Sequence, residues 1–355
     1  MVGSHSSVKG GITSVITQLL EYDWKSHGVS MKFIPTFSDK NNFFKLIFFA
    51  IAYLRILLNF IITKPDICHM HMSYKGSFHR KYILQRLCLY FKIKNIIHLH
   101  GSEFEKYYNN SNSKTKEKIN RLLKDCNSLI VLGKEWEQAI KKIEPSTKII
   151  VIENAIKIIP DMPKQQKDEF NILFLGMLIK RKGVNDLLNA FNSLDPNLAE
   201  EKNINLLIAG DGPEKNTLIN CMEESVLQQR VHFLGWVDKE GKEELLKKAS
   251  LFVLPSYNEG LPVAILEAMN YSLPIVSTNV GSIDEAVVEN VNGYLINPGD
   301  IELLASSIKD IVTNEEKWFQ FSQSSRNLCI SKFDEKVMFD KLCKLYSGCL
   351  NESKY

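Results

Sequence analysis

The chain has 355 residues, of which 45% are hydrophobic and 24% charged, enough for two ordinary domains with cores of their own. Its net charge of +3 selects no partner, and the dense basic stripe of a nucleic-acid binder is missing. The seven cysteines, at 68, 88, 126, 221, 329, 343 and 349, form no Cys-x-x-Cys pair; with no secretory leader pattern, they read as reduced cytoplasmic thiols, not a disulfide or zinc framework.

In chain order, Met1-Val2-Gly3 leaves room for a very short first strand, or for one whose start lies upstream. The loop that follows ends in Lys9-Gly10-Gly11-Ile12. Glycines at a helix start let the backbone approach a phosphate, and they also make a plain loop-to-helix turn. A helix is expected over 12–22 and a strand over 31–34. Segment 43–63 carries Phe43, Phe44, Phe48 and Phe49, and Arg55 is its only charge from Leu46 to Thr63. That length would span a bilayer, but a mid-span Arg costs about 2.5–3.5 kcal/mol on insertion scales. The segment is read as a buried helix, with an interfacial helix touching a membrane as the alternative.

Short apolar strands follow at 67–70, 96–99, 129–132 and 149–152, with helices at 82–91 and 114–124 between them. His100-Gly101 closes the 96–99 strand, which makes His100 a candidate at a reacting centre. His69, His71 and His98 stand nearby in the sequence, but nothing further supports a metal. Asn154 ends the last of these strands and would contact a ligand or cap a turn. The prolines and polar run of 156–169 mark a linker. Strands then recur at 172–175, 204–209, 231–234, 251–254, 275–277 and 294–296. Such alternation means parallel sheets covered on both faces. Two doubly wound Rossmann-like parallel-sheet domains facing a central cleft are expected, with ligands at the carboxyl ends of the strands.

Lys180-Arg181-Lys182 leaves the first strand of the second half where a diphosphate would lie; Arg binds phosphate as a fork and Lys as a point charge. Gly210-Asp211-Gly212-Pro213 is a structural turn. Gly235-Trp236-Val237 closes a strand, where backbone would meet a base, or Trp236 would simply pack. The most telling stretch is Asn258-Glu259-Gly260-Leu261-Pro262, which leads into a helix that carries Glu267. Proline suits a helix start, and the free N–H groups there attract an anion. Two carboxylates flanking an anion site suit a nucleotide sugar, with hydroxyls on both sides of its diphosphate. No Asp-x-Asp pair occurs, so no divalent metal is expected to hold that diphosphate.

These residues resemble a known family. The E-x7-E element at Glu259 and Glu267 is its most specific mark, with Ile208–Pro213, Phe233–Val237, Val253–Ser256 and Asn292–Asp300 around it. The chain resembles retaining glycosyltransferases of family 4, the group 1 type, with the GT-B fold. The resemblance implies a first domain over 1–155 that binds the acceptor and a linker over 156–169. It implies a donor domain over 170–330 and a helix in 331–355 that crosses back. It also implies roles: Glu259 on the donor sugar's hydroxyls, Glu267 on the ribose, and Gly260, Leu261 and Pro262 at the diphosphate. Lys182 would bind the diphosphate, His100 would sit over the sugar, and Gly10 and Gly11 would admit the phosphates. Two departures stand out. Met177 replaces a usual arginine, a place Arg181 would take, and Ser282 and Asp284 replace a usual Gly and Pro.

The activity so implied is transfer of a hexose-type sugar from a UDP-sugar, or a GDP-sugar, to a glycan or lipid-linked acceptor in bacterial surface polysaccharide synthesis. It needs no cofactor or metal, and takes place in the cytoplasm or peripherally at the inner face of the plasma membrane through 43–63. A nucleotide-sugar epimerase of the same fold is the alternative. A solute receptor would want an export signal, and a nicotinamide dehydrogenase a Gly-x-Gly-x-x-Gly that 3–12 does not supply.

Overall fold

The computed structural model describes all of the chain except residues 9, 40, 161–168, 224 and 352–355. It divides into two units, Met1–Asn154 with Met338–Tyr355, and Ala155–Val337. Most of the expected 156–169 linker lies outside the described residues; its first residue, Ile156, bridges Asp334 within the second unit.

The first unit runs β1 (Val2–Ser4), α1 (Gly11–Glu21), β2 (Ile34–Phe37), α2 (Asn42–Ile62), β3 (Ile67–Met72) and α3 (Gly76–Tyr90). It continues with β4 (Lys94–Leu99), α4 (Phe104–Asn109), α5 (Ser113–Asp125), β5 (Ser128–Val131), α6 (Lys134–Ile143) and β6 (Ile149–Val151). Its sheet order is β2-β1-β3-β4-β5-β6, all parallel. The second unit runs β7 (Phe170–Leu175), α7 (Val184–Asn192), α8 (Pro196–Glu201), β8 (Ile204–Ala209), α9 (Lys215–Asn220), β9 (Val231–Gly235) and α10 (Lys239–Lys248). Then come β10 (Leu251–Leu254), α11 (Val263–Asn270), β11 (Ile275–Thr278), β12 (Gly293–Ile296), α12 (Ile301–Thr313) and α13 (Glu315–Phe333); α14 (Glu335–Asn351) rejoins the first unit from Met338. Its sheet order is β12-β11-β10-β7-β8-β9, again all parallel. This is the dinucleotide-binding order 3-2-1-4-5-6, and its winding reverses between β7 and β10. Buried on both faces, central strands such as Leu251–Leu254 are apolar throughout.

Two expectations are corrected. The strand expected at 31–34 begins only at Ile34, which pairs with Val2. Pro35 within it is tolerated because β2 is an edge strand, and Thr36 is held inside by Lys81 Nζ, which donates to its Oγ1 at 2.7 Å. Burial pushes the Lys81 amine down to about 7. The second correction concerns 43–63, which is helical but not buried. Among the described side chains of α2 only Ala52, Ile56 and Phe60 are buried, while Phe43, Leu46, Leu54, Leu58 and Ile62 are exposed. The helix lies over the edge strand β2 and meets the α3 segment through Phe60 against Phe91. Over a sheet edge it has neighbours on one side only.

Candidate functional site

The reversal between β7 and β10 brings the cationic turn and the first glutamate together. Lys180–Lys182 form a single tight helical turn after β7, ended by Gly183. Glu259 lies in the loop from β10 to α11. Its buried carboxylate accepts from the Lys182 ammonium and, at 2.8 Å, from Ser256 Oγ. Arg181 Nη1 donates to the Asn258 carbonyl at 2.9 Å, and the Tyr257 N–H donates to the Arg181 carbonyl at 2.7 Å. Gly183 has φ +67°, and a Cβ there would overlap the Pro255 carbonyl oxygen. The two loops are thus stapled along their length, with a charge pair at the centre.

Gly260 and Leu261 follow Glu259 directly, and Pro262 is the N-cap of α11. Pro262 supplies no side-chain cap to this helix start, whose positive end suits an anion. The loop after β11 closes over the same segment. Gly281 has φ +62°, and a Cβ there would overlap the Glu259 carbonyl oxygen. Ser282 donates its N–H to the Gly260 carbonyl at 2.9 Å, with φ −107°. Any residue adopts that conformation, so serine in place of the usual glycine strains no backbone there, although its buried Oγ has no hydrogen-bond partner among the described residues.

Glu267 lies further along α11 and pairs with Lys242 of α10, both half-buried. The α10 N-cap, Asp238, directly follows Trp236 and Val237. Those two sit after β9, at the sheet edge, with Trp236 46% exposed. Lys242, Ser256 and Gly281 were given no role from the sequence, although Ser256 lies in the Val253–Ser256 stretch of the resemblance. Lys242 lies 25 residues before its partner, a distance at which no local pattern shows pairing. The Gly210 turn is structural, because a Cβ at Gly210 would overlap the Gly176 carbonyl oxygen.

Gly10, Gly11, His100 and Asn154 belong to the first unit. Gly10 caps α1 at φ 138°. His100 directly follows β4, and its N–H donates to the Met72 carbonyl at 2.8 Å. Asn154 is buried after β6. Because β3 and β4 pair His71 opposite His98, and residues two apart share a face, His69, His71, His98 and His100 tile one face of the sheet. His69 Nδ1 pairs with Tyr346 Oη of α14 at 2.6 Å, and His71 Nδ1 with His100 Nε2 at 2.8 Å. Burial holds all four imidazoles well below their usual range, His69 and His100 at about 3. Among the described residues, His69, His71 and His98 come nearest to a metal site, with ligand atoms within 4.8 Å of one another. Yet the rings lie near-parallel, 4.7–5.4 Å apart, so their lone pairs do not converge as a metal requires.

A Gly183→Ala variant is expected to lose about 2–4 kcal/mol, from left-handed strain plus the forced separation of the loops. Thermal unfolding checks this, and an unchanged melting temperature contradicts the staple.

Residues 156–328 match the family model for glycosyl transferases group 1. An uncharacterised 41.2 kDa protein in the cps region of Klebsiella pneumoniae is 24% identical over 96% of this chain and 98% of its own length. The capsular polysaccharide biosynthesis glycosyltransferase CapM of Staphylococcus aureus is 24% identical over 54% of this chain. The match covers 49% of CapM, about half of its length. Among solved structures, Anabaena HepE in complex with UDP-glucose superposes with a TM-score of 0.76 at 16% identity, over 98% of both chains. The fold is GT-B, and the second unit carries the group 1 glycosyltransferase match.

Proposed function

We propose that this chain, with its group 1 match over 156–328, is a retaining family 4 hexosyltransferase. The donor is a UDP-sugar, with a GDP-sugar as the other choice, and the acceptor is a hydroxyl of a glycan or lipid-linked glycan. The observation that carries the reading is the Lys182–Glu259 pair at the reversal of the second sheet, beside the positive start of α11. Both ends of a nucleotide sugar find partners there: carboxylates for its hydroxyls, a cation and helix N–H groups for its diphosphate. HepE, of the same fold, is solved with UDP-glucose, and CapM works in capsular polysaccharide biosynthesis; both support the donor class and the setting.

In this mechanism the bond from the anomeric carbon to the diphosphate breaks first, through an oxocarbenium-like transition state. Negative charge grows on the leaving oxygen, where Lys182, Arg181 and the α11 N–H groups oppose it. The acceptor oxygen attacks from the same face, and its proton passes to the departing phosphate. Glu259 accepts from the sugar's hydroxyls and orients Lys182; Glu267 accepts from the ribose. Gly260, Leu261 and Pro262 shape the phosphate path, and Trp236 and Val237 meet the base. The first unit is assigned the acceptor, with His100, Gly10, Gly11 and Asn154 as its candidate ligand contacts. No metal takes part. The work is assigned to the cytoplasm, a reading with which the seven unpaired cysteines agree.

Thermal shift with UDP-, GDP- and ADP-sugars tests the donor, since a ligand of the folded state raises its melting point. One nucleotide class is expected to stabilise the chain, and donor incubated alone is expected to stay unconverted to another sugar. No shift with any of them refutes the reading. Glu267→Ala is expected to weaken apparent donor affinity about ten- to hundredfold, the worth of a charged hydrogen bond, with kcat nearly unchanged. A donor titration that matches the parent protein rejects the ribose role.

A further inference from the structure

We infer that the outward face of α2, continued by α3, is a docking surface for an anionic lipid bilayer. This deepens the reading of a lipid-linked acceptor, but it stands on the first unit alone and has its own test.

Outward residues recur with the helical period: Phe43, Ile47, Ile51, Leu54, Leu58 and Ile62, with Phe43 at 68% and Ile62 at 75% exposure. With Phe44, Leu46 and Ile61 they make nine exposed large apolar side chains on one helix, whereas a soluble monomer rarely exposes an apolar patch beyond a few hundred Å². The helix has 21 residues, about 31 Å at 1.5 Å each, and would lie flat on a membrane, with Ala52, Ile56 and Phe60 anchoring its other side to the fold. Tyr53 of α2 and Tyr82 and Tyr90 of α3 line one groove of about 350 Å³, which joins the surfaces of the two helices. Tyr90 is 81% exposed. Tyrosines beside an apolar face are the composition of a membrane interface.

Charge selects the occupant. No Asp or Glu occurs from Asn41 to Thr63, whereas Arg55 does, with Lys45, paired with Asp39 just ahead of the helix, at one end and Lys64 following at the other. Arg55 is exposed, next to Leu54. In a two-fold dimer the same patch faces itself, so Arg55 would meet an apolar face with no carboxylate to pair with. Anionic headgroups supply such partners all along the face, and the Arg and Lys stems let their charges reach them. The sequence drew attention to Phe48 and Phe49, but both are half-buried, and Phe48 packs edge-on to His5. Leu54 and Leu58 are the better probes.

The test is co-sedimentation of the full chain with vesicles of phosphatidylcholine alone, or with about one-third phosphatidylglycerol. The parent chain is expected to pellet with the anionic vesicles and less with the neutral ones. L54D/L58D is expected to bind at least tenfold less, with melting temperature and transfer to a soluble acceptor analogue unchanged. Loss of lipid binding and loss of chemistry are thereby read separately. Should that variant melt early, Leu58→Trp serves instead, and brominated lipid is expected to quench its added fluorescence. The proposal is overturned by a parent chain that stays in the supernatant with both vesicles. It is equally overturned if the fluorescence added by Leu58→Trp goes unquenched, or by a dimer in light scattering that L54D/L58D dissociates without any vesicle binding.

Discussion

Replacing Lys182 with alanine is expected to lower sugar transfer about 100- to 1,000-fold, the cost of removing one transition-state donor. The side chain lies at the carboxyl end of β7 with 14% of its surface exposed, so its charge is little screened. Its effect should fall on kcat more than on donor affinity, because the charge it opposes develops as the diphosphate leaves. The substitution also leaves the buried Glu259 carboxylate held by the Ser256 hydroxyl without its cation, and an uncompensated buried carboxylate costs stability. A second variant separates these effects. Lys182→Met combined with Glu259→Gln removes both charges and is expected to restore the melting temperature without restoring turnover. Recovery of activity along with stability would falsify a chemical role for the pair and leave it a structural staple.

Acid is expected to unfold the first unit well before the second. His69, His71 and His98 are buried and neutral in the fold, with burial as the largest cause, reinforced by neighbouring rings, the N-terminal amine and Lys81. Unfolded, each takes up a proton near pH 6.5. Their contribution is therefore complete above about pH 6.5 and is lost as pH falls toward their folded values, about 3 for His69. The slope is about 1.4 kcal/mol per group and pH unit, so three groups remove about 4 kcal/mol per unit, a large share of a domain's whole stability. His100, held down to about 3 by the same burial, adds a comparable share of the same sign. Urea midpoints between pH 7.5 and 5 measure this. His98, whose ring nitrogens have no protein partner, gives the control: His98→Leu should flatten the slope by about one group's share. An unchanged slope in that variant, or a parent chain equally stable at both ends of the range, would contradict the buried, neutral cluster.

The candidate site was legible where its chemistry is local. Glu259, Gly260, Leu261 and Pro262 are consecutive, and Glu267 follows at helical spacing on the same element. The cations 180–182 could be read because a strand end directly precedes them. Lys242 and Gly281 could not, since each meets its partner only after other elements have folded between them. The second strand was misplaced because Phe33-Ile34 looks apolar on its own, while the pairing of Val2 with Ile34 decides where the ladder begins. The histidines were visible one by one, but their shared face depends on the β3–β4 register.

What the sequence determined by itself was the alternation of strand and helix, and with it two parallel sheets, because apolar period and breaker residues are properties of neighbours along the chain. It also determined which carboxylates and cations were available to a nucleotide sugar. Tertiary structure alone decided which of them touch: the sheet reverses its winding between β7 and β10, and this sets Lys182 against Glu259. It also decided which side of α2 faces out. A helix apolar all round carries no mark of its inner face, and only its seat over the edge strand β2 leaves the other side uncovered.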